Sequence, residues 1–116
     1  MALKITLTSK EFTAREQWKL TRDAGILKMS DIEGQSIQPT EYCIYEDTNA
    51  EGEEQTLLSV LTDEGLVYAT NSETFRREFI DMMDTFKNAG EVIPKITVMG
   101  GTTKSNRHYI TCALAD

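Results

Sequence analysis

The feature that most constrains the fold is one strongly helical segment, "NSETFRREFIDMMDTFKNAG", set between segments with strand character. Apolar residues recur in it at helical spacing; they are Phe75, Phe79, Met82 and Phe86, flanked by Ile80 and Met83. Ser72 is a suitable N-cap, and Gly90 follows the last turn where a left-handed residue often ends a helix. We interpret the stripe as core packing, so the rest of the core has to come from strands.

Strands are predicted on both sides of this helix. Before it lie "LKITLT", "IQPTEYCIYED", "EQTLLSVLTD" and "LVYAT", and after it "KITVMG" and "HYITCAL", joined by "GGTTKSNR". In the second segment Tyr42, Ile44 and Glu46 alternate with Cys43, Tyr45 and Asp47, which predicts two opposite faces. The Leu and Val content of the third segment indicates burial on both of its faces. "TNAEGEE" and "DEG" are read as turns, because Gly52 and Gly65 suit tight bends.

A short helix is predicted over Ala14–Leu20. Thr13 precedes Glu16 by three residues, the spacing of a capping box. We expect Trp18 to pack inward. The helix, the strands and the closing hairpin together predict a mainly β fold with one long helix, a small β-barrel similar to an OB-fold, with a short N-terminal helix. The 116 residues are expected to form one OB-fold-like domain over 1–116.

Charge is segregated along this acidic chain of net charge −7. Residues 1–28 hold six basic and three acidic residues, 41–64 hold eight acidic and none basic, and 92–116 hold three basic and one acidic. Net charge bears on partners rather than on fold. The sequence leaves open whether the two basic ends meet in space.

Several classes of protein are not favoured by the sequence. No apolar run is long enough for a membrane span or a signal peptide, so we expect a cytoplasmic protein with no membrane partner. Cys43 and Cys112 belong to no CxxC pair and are expected to be buried, reduced and inert. No nucleophile elbow accompanies His108, the single histidine. We expect no catalysis, no metal and no cofactor.

Two loop motifs are also rejected. "MGGTTKS" is similar to a phosphate-binding loop, but its lysine follows two threonines and the next segment is a strand rather than a helix. We interpret Gly100 and Gly101 as easing a twisted or bulged hairpin. The acidic "YEDTNAEGEEQ" lacks the residue spacing and the flanking helices of an EF-hand loop.

Binding of single-stranded nucleic acid is the function that the remaining residues favour. It needs cations along the phosphate path and exposed aromatic rings for base stacking. The predicted contact residues are Lys28, Tyr45, Tyr68, Lys104, Arg107 and Tyr109. Further cations, Arg15, Lys19 and Arg22, lie in the N-terminal part. Each of these tyrosines can equally be a half-buried sheet residue, and the two loop cations can be a solvated turn.

Three stretches carry a family resemblance: "REQWKLTRDAGILKMSDIEGQ", "LTDEGLVYATNSETFRREFIDMMD" and "TKSNRHYITCAL". They resemble the small single-stranded-DNA-binding proteins of bacteriophages that infect Gram-positive bacteria. The resemblance implies an OB-fold protein that coats single-stranded DNA during phage replication and recombination, in the cytoplasm of the infected host cell. Lys104, Arg107 and Tyr109 match the family's final hairpin.

The chain departs from that family at two points. Asn106 stands where a glycine is expected before the arginine, although asparagine tolerates a left-handed backbone. The long acidic tail of bacterial homologues is missing, which leaves recruitment of replication or recombination proteins open. Self-association into a homo-oligomer is also left open by the sequence. The acidic stretch 41–64 favours an alternative function, an acidic protein-binding adaptor or DNA mimic that contacts a host or phage protein.

Overall fold

The computed structural model describes residues 3–48 and 50–115, so Asn49 in the predicted "TNAEGEE" turn and the ends of the predicted domain 1–116, Asp116 included, lie outside the described residues. Within these described residues, eight strands and two helices follow one another, and a turn of 3₁₀ helix, Met29–Ile32, lies between β2 and β3. The strands are β1 (Lys4–Thr8), β2 (Leu27–Lys28), β3 (Ser36–Ile37), β4 (Pro39–Thr48), β5 (Glu54–Thr62), β6 (Val67–Thr70), β7 (Ile96–Thr102) and β8 (His108–Leu114). The helices are α1 (Ala14–Thr21) and α2 (Glu73–Asn88).

The strands form two sheets. The large sheet has the order β1-β4-β5-β6-β2 and is antiparallel except that β2 runs parallel to β6. The small sheet has the order β3-β7-β8. Because only Gln38 separates β3 from β4, the segment 36–48 belongs to both sheets and joins them. The predicted mainly β fold is confirmed, but among the described residues β6 does not pair with β8, so a closed barrel is not formed.

The large sheet is covered on both faces. Leu58, Val60 and Tyr68 face the main core, which also holds Phe75 and Phe79 of α2 and residues of the small sheet. Cys43, Tyr45 and Val67 face a second cluster, covered by Leu20 of α1 and by Phe12 and Ile26. The predicted alternation of faces along β4 and the predicted double burial of β5 are both confirmed. The N-terminal residues therefore act as a second layer on the outer face of the large sheet.

Local signals begin and end the helices as predicted. The Ser72 hydroxyl accepts a hydrogen bond from the Phe75 N–H at 3.2 Å, and Gly90 has φ +76° just after α2. In α1 the capping box is formed, because Thr13 and Glu16 exchange side-chain and backbone hydrogen bonds. The predicted stripe of α2 is core in its first part, since Phe75 and Phe79 are fully buried and stack with ring centroids 6.2 Å apart, whereas Phe86 at its end is half-buried and lines a surface groove.

The expectation that Trp18 packs inward is wrong. Leu20 is the buried residue of α1 at 1% exposure, whereas Trp18 is 62% exposed. Two residues advance a helix by about 200°, so the face that buries Leu20 turns Trp18 to the solvent. The register of the cap determines which of the two apolar residues points inward.

The free edge of β8 contacts α2. Cys112 of β8 donates its backbone N–H to the Glu78 carboxylate of α2 at 3.1 Å. A β-sheet edge exposes unpaired backbone groups that invite pairing with another chain. Glu78 accepts the hydrogen bond of one such group on β8, so that group is not free to pair with another strand.

Candidate nucleic-acid interface

The loop of the β7–β8 hairpin is held by its own hydrogen bonds. Thr103 and Arg107 close it, with Thr103 N donating to Arg107 O at 2.9 Å and Arg107 N donating to Thr103 Oγ1 at 3.1 Å. Asn106 N donates to Thr103 O, and Asn106 has φ +64°. This is a three-residue turn ending in a left-handed residue. The prediction that asparagine supports the left-handed position is confirmed.

The outer face of the hairpin, the face turned away from the core, carries an aromatic ring. Tyr109 pairs with Gly101, and a Cβ added to Gly101 would lie 2.6 Å from the Tyr109 ring. The ring therefore lies directly against the bare backbone of Gly101. Tyr109 is still 38% exposed and Met99, on the same face, 45% exposed. The Gly101 backbone covers one side of the ring. The part of Tyr109 that remains exposed is available for stacking, as base binding requires.

The inner face of the hairpin is tied to the segment after the 3₁₀ helix. His108 Nε2 lies 2.5 Å from Glu33 Oε2, although the two residues are 75 apart in sequence. The Glu33 carboxylate occupies the space that a side chain on Gly100 would need. Gly34 N also donates to Val98 O at 2.6 Å. Gly100 and Gly101 are thus needed for close approach of Glu33 and Tyr109. The predicted bulge is not found, because β7 and β8 pair without a register shift at either glycine.

The cations of the hairpin are exposed. Over residues 3–48 and 50–115, Lys104 and Arg107 form no ion pair. Arg107 directly precedes β8 at the loop end of the hairpin, and Lys95 directly precedes β7 at the opposite end. Lys95 and Gly101 are six strand steps apart, about 20 Å. The outer face is therefore a stripe with cations at both ends and Met99 and Tyr109 between them.

Lys28 lies elsewhere. It is exposed on β2 and lines a groove of about 430 Å³ with Leu27, Gln55, Leu57 and Asn71, among other residues. The lining of this groove contains no residue of the β7–β8 hairpin. This groove therefore does not join Lys28 to Lys104 and Arg107.

Tyr45 and Tyr68 are buried, which corrects their predicted role as exposed stacking rings. Tyr45 is 4% exposed in the second cluster beside Leu20, and Tyr68 is 8% exposed in the main core. The two rings thus lie on opposite faces of the large sheet. Burial raises the pKa of the Tyr45 hydroxyl to about 12, so it stays protonated at neutral pH. Neither ring can stack on a base in this conformation.

Two N-terminal cations pair with two of the eight acidic residues of the stretch 41–64. Arg22 Nη1 lies 3.2 Å from Asp47 Oδ2, and Lys10 Nζ lies 2.8 Å from Glu16 Oε2 and 3.8 Å from Glu41 Oε2. Their mutual hydrogen bond raises the pKa of Lys10 and lowers that of Glu16. These ion pairs link the N-terminal layer to β4. They also leave less of the positive charge of Arg22 and Lys10 available to a ligand.

Sequence reasoning missed the outward face of α1. The sequence signals identify Arg15 and Lys19 only as cations and predict that Trp18 packs inward. A helical wheel drawn from the capping box would have revealed that Arg15, Trp18 and Lys19 share one side of the helix. All three are exposed.

A larger groove, of about 800 Å³, lies between α2, the end of β1 and residues 91–93. Its apolar lining includes Leu7, Tyr42, Met83 and Val92, with Val92 86% exposed. None of the predicted contact residues lines it.

The cysteines are buried and unpaired, as predicted. Burial raises the pKa of Cys43 and of Cys112 to about 12, with Glu78 adding to the effect at Cys112. Within 3–48 and 50–115 no group of three or more His, Cys, Asp or Glu residues is arranged to hold a metal ion.

No protein-family model, no curated protein and no solved structure matches this chain. The resemblance to the phage single-stranded-DNA-binding proteins therefore stays a prediction. Neither helix in the described part of the chain has the length and apolar character that a membrane crossing requires.

Proposed function

We propose that this protein binds single-stranded DNA without sequence specificity, through the outer face and loop of the β7–β8 hairpin. The observation that carries the proposal is the Tyr109 ring, which lies against Gly101, is 38% exposed and follows a loop that holds the exposed cations Lys104 and Arg107. The stacking ring supplies contacts that any base can make, and the cations supply contacts to phosphate. Replication and recombination of phage DNA in the host cytoplasm is the setting we propose.

The strand order supports an OB-fold as the framework. Residues 36–48 act as one bent first strand that pairs with β7 at its start and with β5 afterwards. β5 and β6 complete a meander, α2 follows, and β7–β8 is the final hairpin. This is the strand and helix order of the OB-fold, a partly open five-stranded barrel. The departure is at β6, whose outer edge pairs with β2.

The acidic adaptor or DNA mimic has less support. Glu41 and Asp47 are paired with Lys10 and Arg22. The other acidic residues are concentrated at the two ends of β5, which has nine residues and so spans about 30 Å. Such a division gives two small acidic turns instead of one continuous acidic face.

Titration of a fluorescently labelled oligo-dT, followed by anisotropy at two salt concentrations, tests the proposal. We expect binding that weakens as salt rises. Replacing Lys104 and Arg107 by glutamine should reduce the slope of log affinity against log salt by about 1.4, since each phosphate contact on a single strand contributes about 0.7. Tyr109→Ala should weaken binding by roughly 1–3 kcal/mol.

The matched control is Arg77→Gln with Lys87→Gln, which removes two exposed cations from α2. It should leave the salt slope almost unchanged. No binding by the unmodified protein even at low salt would reject the function. Equal losses in the hairpin variant and the control would reject the hairpin as the site and leave only a general charge effect.

A further inference from the structure

The outward face of α1 combines an exposed aromatic ring with cations. Trp18 is 62% exposed. Arg15 lies three residues before it, Lys19 one residue after it and Arg22 four residues after it, and all three cations are exposed. Residues three and four apart on a helix are neighbours on its surface, about 5–6 Å between Cβ atoms. Arg15 and Arg22 are therefore the cations nearest the ring along the helix, and Lys19 is a neighbour of Arg15.

Acidic residues of the helix are kept off this face. Glu16 lies about 200° around the helix from Trp18, where it caps α1 and pairs with Lys10 at 2.8 Å. Arg22 is held to Asp47 of β4 at 3.2 Å, which anchors the end of the helix. In the part of the chain that the structure describes, Arg15 and Lys19 have no ion pair, so their charge is available to a ligand.

We propose that this face of α1 is a second contact surface for single-stranded nucleic acid, with Trp18 stacking on a base and Arg15 and Lys19 on the flanking phosphates. The inference rests on the proposed function and extends it to a surface separate from the β7–β8 hairpin. Its chemistry decides the ligand. The indole offers a broad ring for stacking, and the cations select an anionic polymer.

Other occupants fit this face less well. Apart from Trp18, the exposed residues of α1 are Ala14, Arg15, Gln17 and Lys19, so this face lacks the wide apolar band of a membrane-surface helix. A protein interface would normally bury a larger apolar centre around its aromatic anchor. Duplex nucleic acid keeps its base faces stacked inside the helix, so it offers no ring surface to Trp18.

Trp18 is the single tryptophan of the chain, so its fluorescence reports on this surface directly. In one titration, oligo-dT binding is followed by anisotropy of the labelled DNA and by the emission of Trp18. We expect the tryptophan emission to be quenched in step with the anisotropy rise. Binding by anisotropy with unchanged tryptophan emission would overturn the inference and leave the proposed function standing. No binding by anisotropy would reject the proposed function itself, and with it the second surface.

Two variants separate stacking from charge. Trp18→Ala should weaken oligo-dT binding roughly five- to a hundredfold. Arg15→Gln with Lys19→Gln should lower the salt slope by about 1.4. The control Val92→Ala shortens an apolar side chain that is 86% exposed elsewhere, and it should change neither quantity. Because the side chains replaced in α1 are exposed, circular dichroism should show unaltered folding. The proposal would be overturned if Trp18→Ala left the oligo-dT affinity unchanged and the Arg15→Gln, Lys19→Gln variant left the salt slope unchanged.

Discussion

Tyr109 lies against Gly101 of the facing strand so closely that a Cβ on Gly101 would lie 2.6 Å from the Tyr109 ring. The ring cannot keep this position beside any other residue. The glycine thus determines where the exposed aromatic surface of the hairpin lies. The same contact links the stability of the hairpin to the surface proposed for binding.

Gly101→Val is therefore expected to displace the Tyr109 ring. The overpacked pair should lower the free energy of unfolding by about 1–3 kcal/mol and weaken oligo-dT binding. Urea denaturation and anisotropy measure the two effects. Gly25→Ala is the matched control, because its added Cβ would lie an ordinary 3.6 Å from Asp23. Equal effects of the two changes would contradict the role given to Gly101.

Ser72→Ala is expected to destabilise the protein by about 0.5–2 kcal/mol, because the Phe75 N–H would lose the hydroxyl that caps α2. Thermal or urea unfolding measures the change. Thr85→Ala, at an exposed position in the last turns of the same helix, should stay within about 0.5 kcal/mol of the unmodified protein. A cost at Thr85 as large as at Ser72 would argue against the cap.

Ser59→Ala should leave stability unchanged or raise it. Ser59 is fully buried, and its Oγ finds no hydrogen-bond partner over the described ranges 3–48 and 50–115. Removing a buried, unpaired polar atom relieves a desolvation cost. Thr62→Val is the contrasting change, since the Thr62 hydroxyl accepts the Leu66 N–H at 3.2 Å, and its loss should cost about 1 kcal/mol. A clear loss of stability in Ser59→Ala would refute this account of the site.

Stability should fall in alkali. Burial raises the pKa of Cys43, Cys112 and Tyr45 to about 12 in the folded protein. Unfolded thiols ionise near pH 8.5–9, and an unfolded tyrosine near pH 10. Below about pH 8 the thiols are almost entirely neutral in both states, so stability is intact. As pH rises from about 8 to about 12 the unfolded state loses protons first, and the free energy of unfolding decreases.

Urea denaturation between pH 7 and 11 measures this decline. At pH 8 a disulfide reagent such as DTNB should react slowly with the folded protein and rapidly in urea, where both thiols are exposed. Rapid reaction of the folded protein would mean that the thiols are accessible and that the alkaline effect has another source.

The sequence predicts those parts of the fold that depend on neighbours along the chain. Ser72, Thr13 and Gly90 mark helix ends by local hydrogen bonding or local backbone angles, and Asn106 does the same for the hairpin loop. The alternation along β4 likewise separates its two faces. Each of these signals involves residues within a few positions of one another, which a single sequence makes visible.

What the sequence misses depends on residues far apart. The burial of Tyr45 requires the N-terminal layer to cover the outer face of the large sheet, and no pattern around Tyr45 predicts that cover. The contact between Glu33 and His108 joins residues 75 apart. The very short β2 is missed, and so is the separation of β3 from β4, because two residues are too few for an alternation pattern. The error at Trp18 is of a different kind, because the helix α1 itself is predicted and only the residue that it turns inward, Leu20 instead of Trp18, is wrong.

The segment 36–48 is shared by the two sheets, and this determines where the chain can change in length. Adding or removing one residue there would shift the pairing with β5 and with β7 together, and would exchange inward and outward side chains in both. The turn at 63–66 and the loop at 103–107 carry no such double constraint. Variation in length should therefore accumulate in those exposed connections, so the reach of the Lys104 loop can vary while the framework beneath it keeps one fixed length.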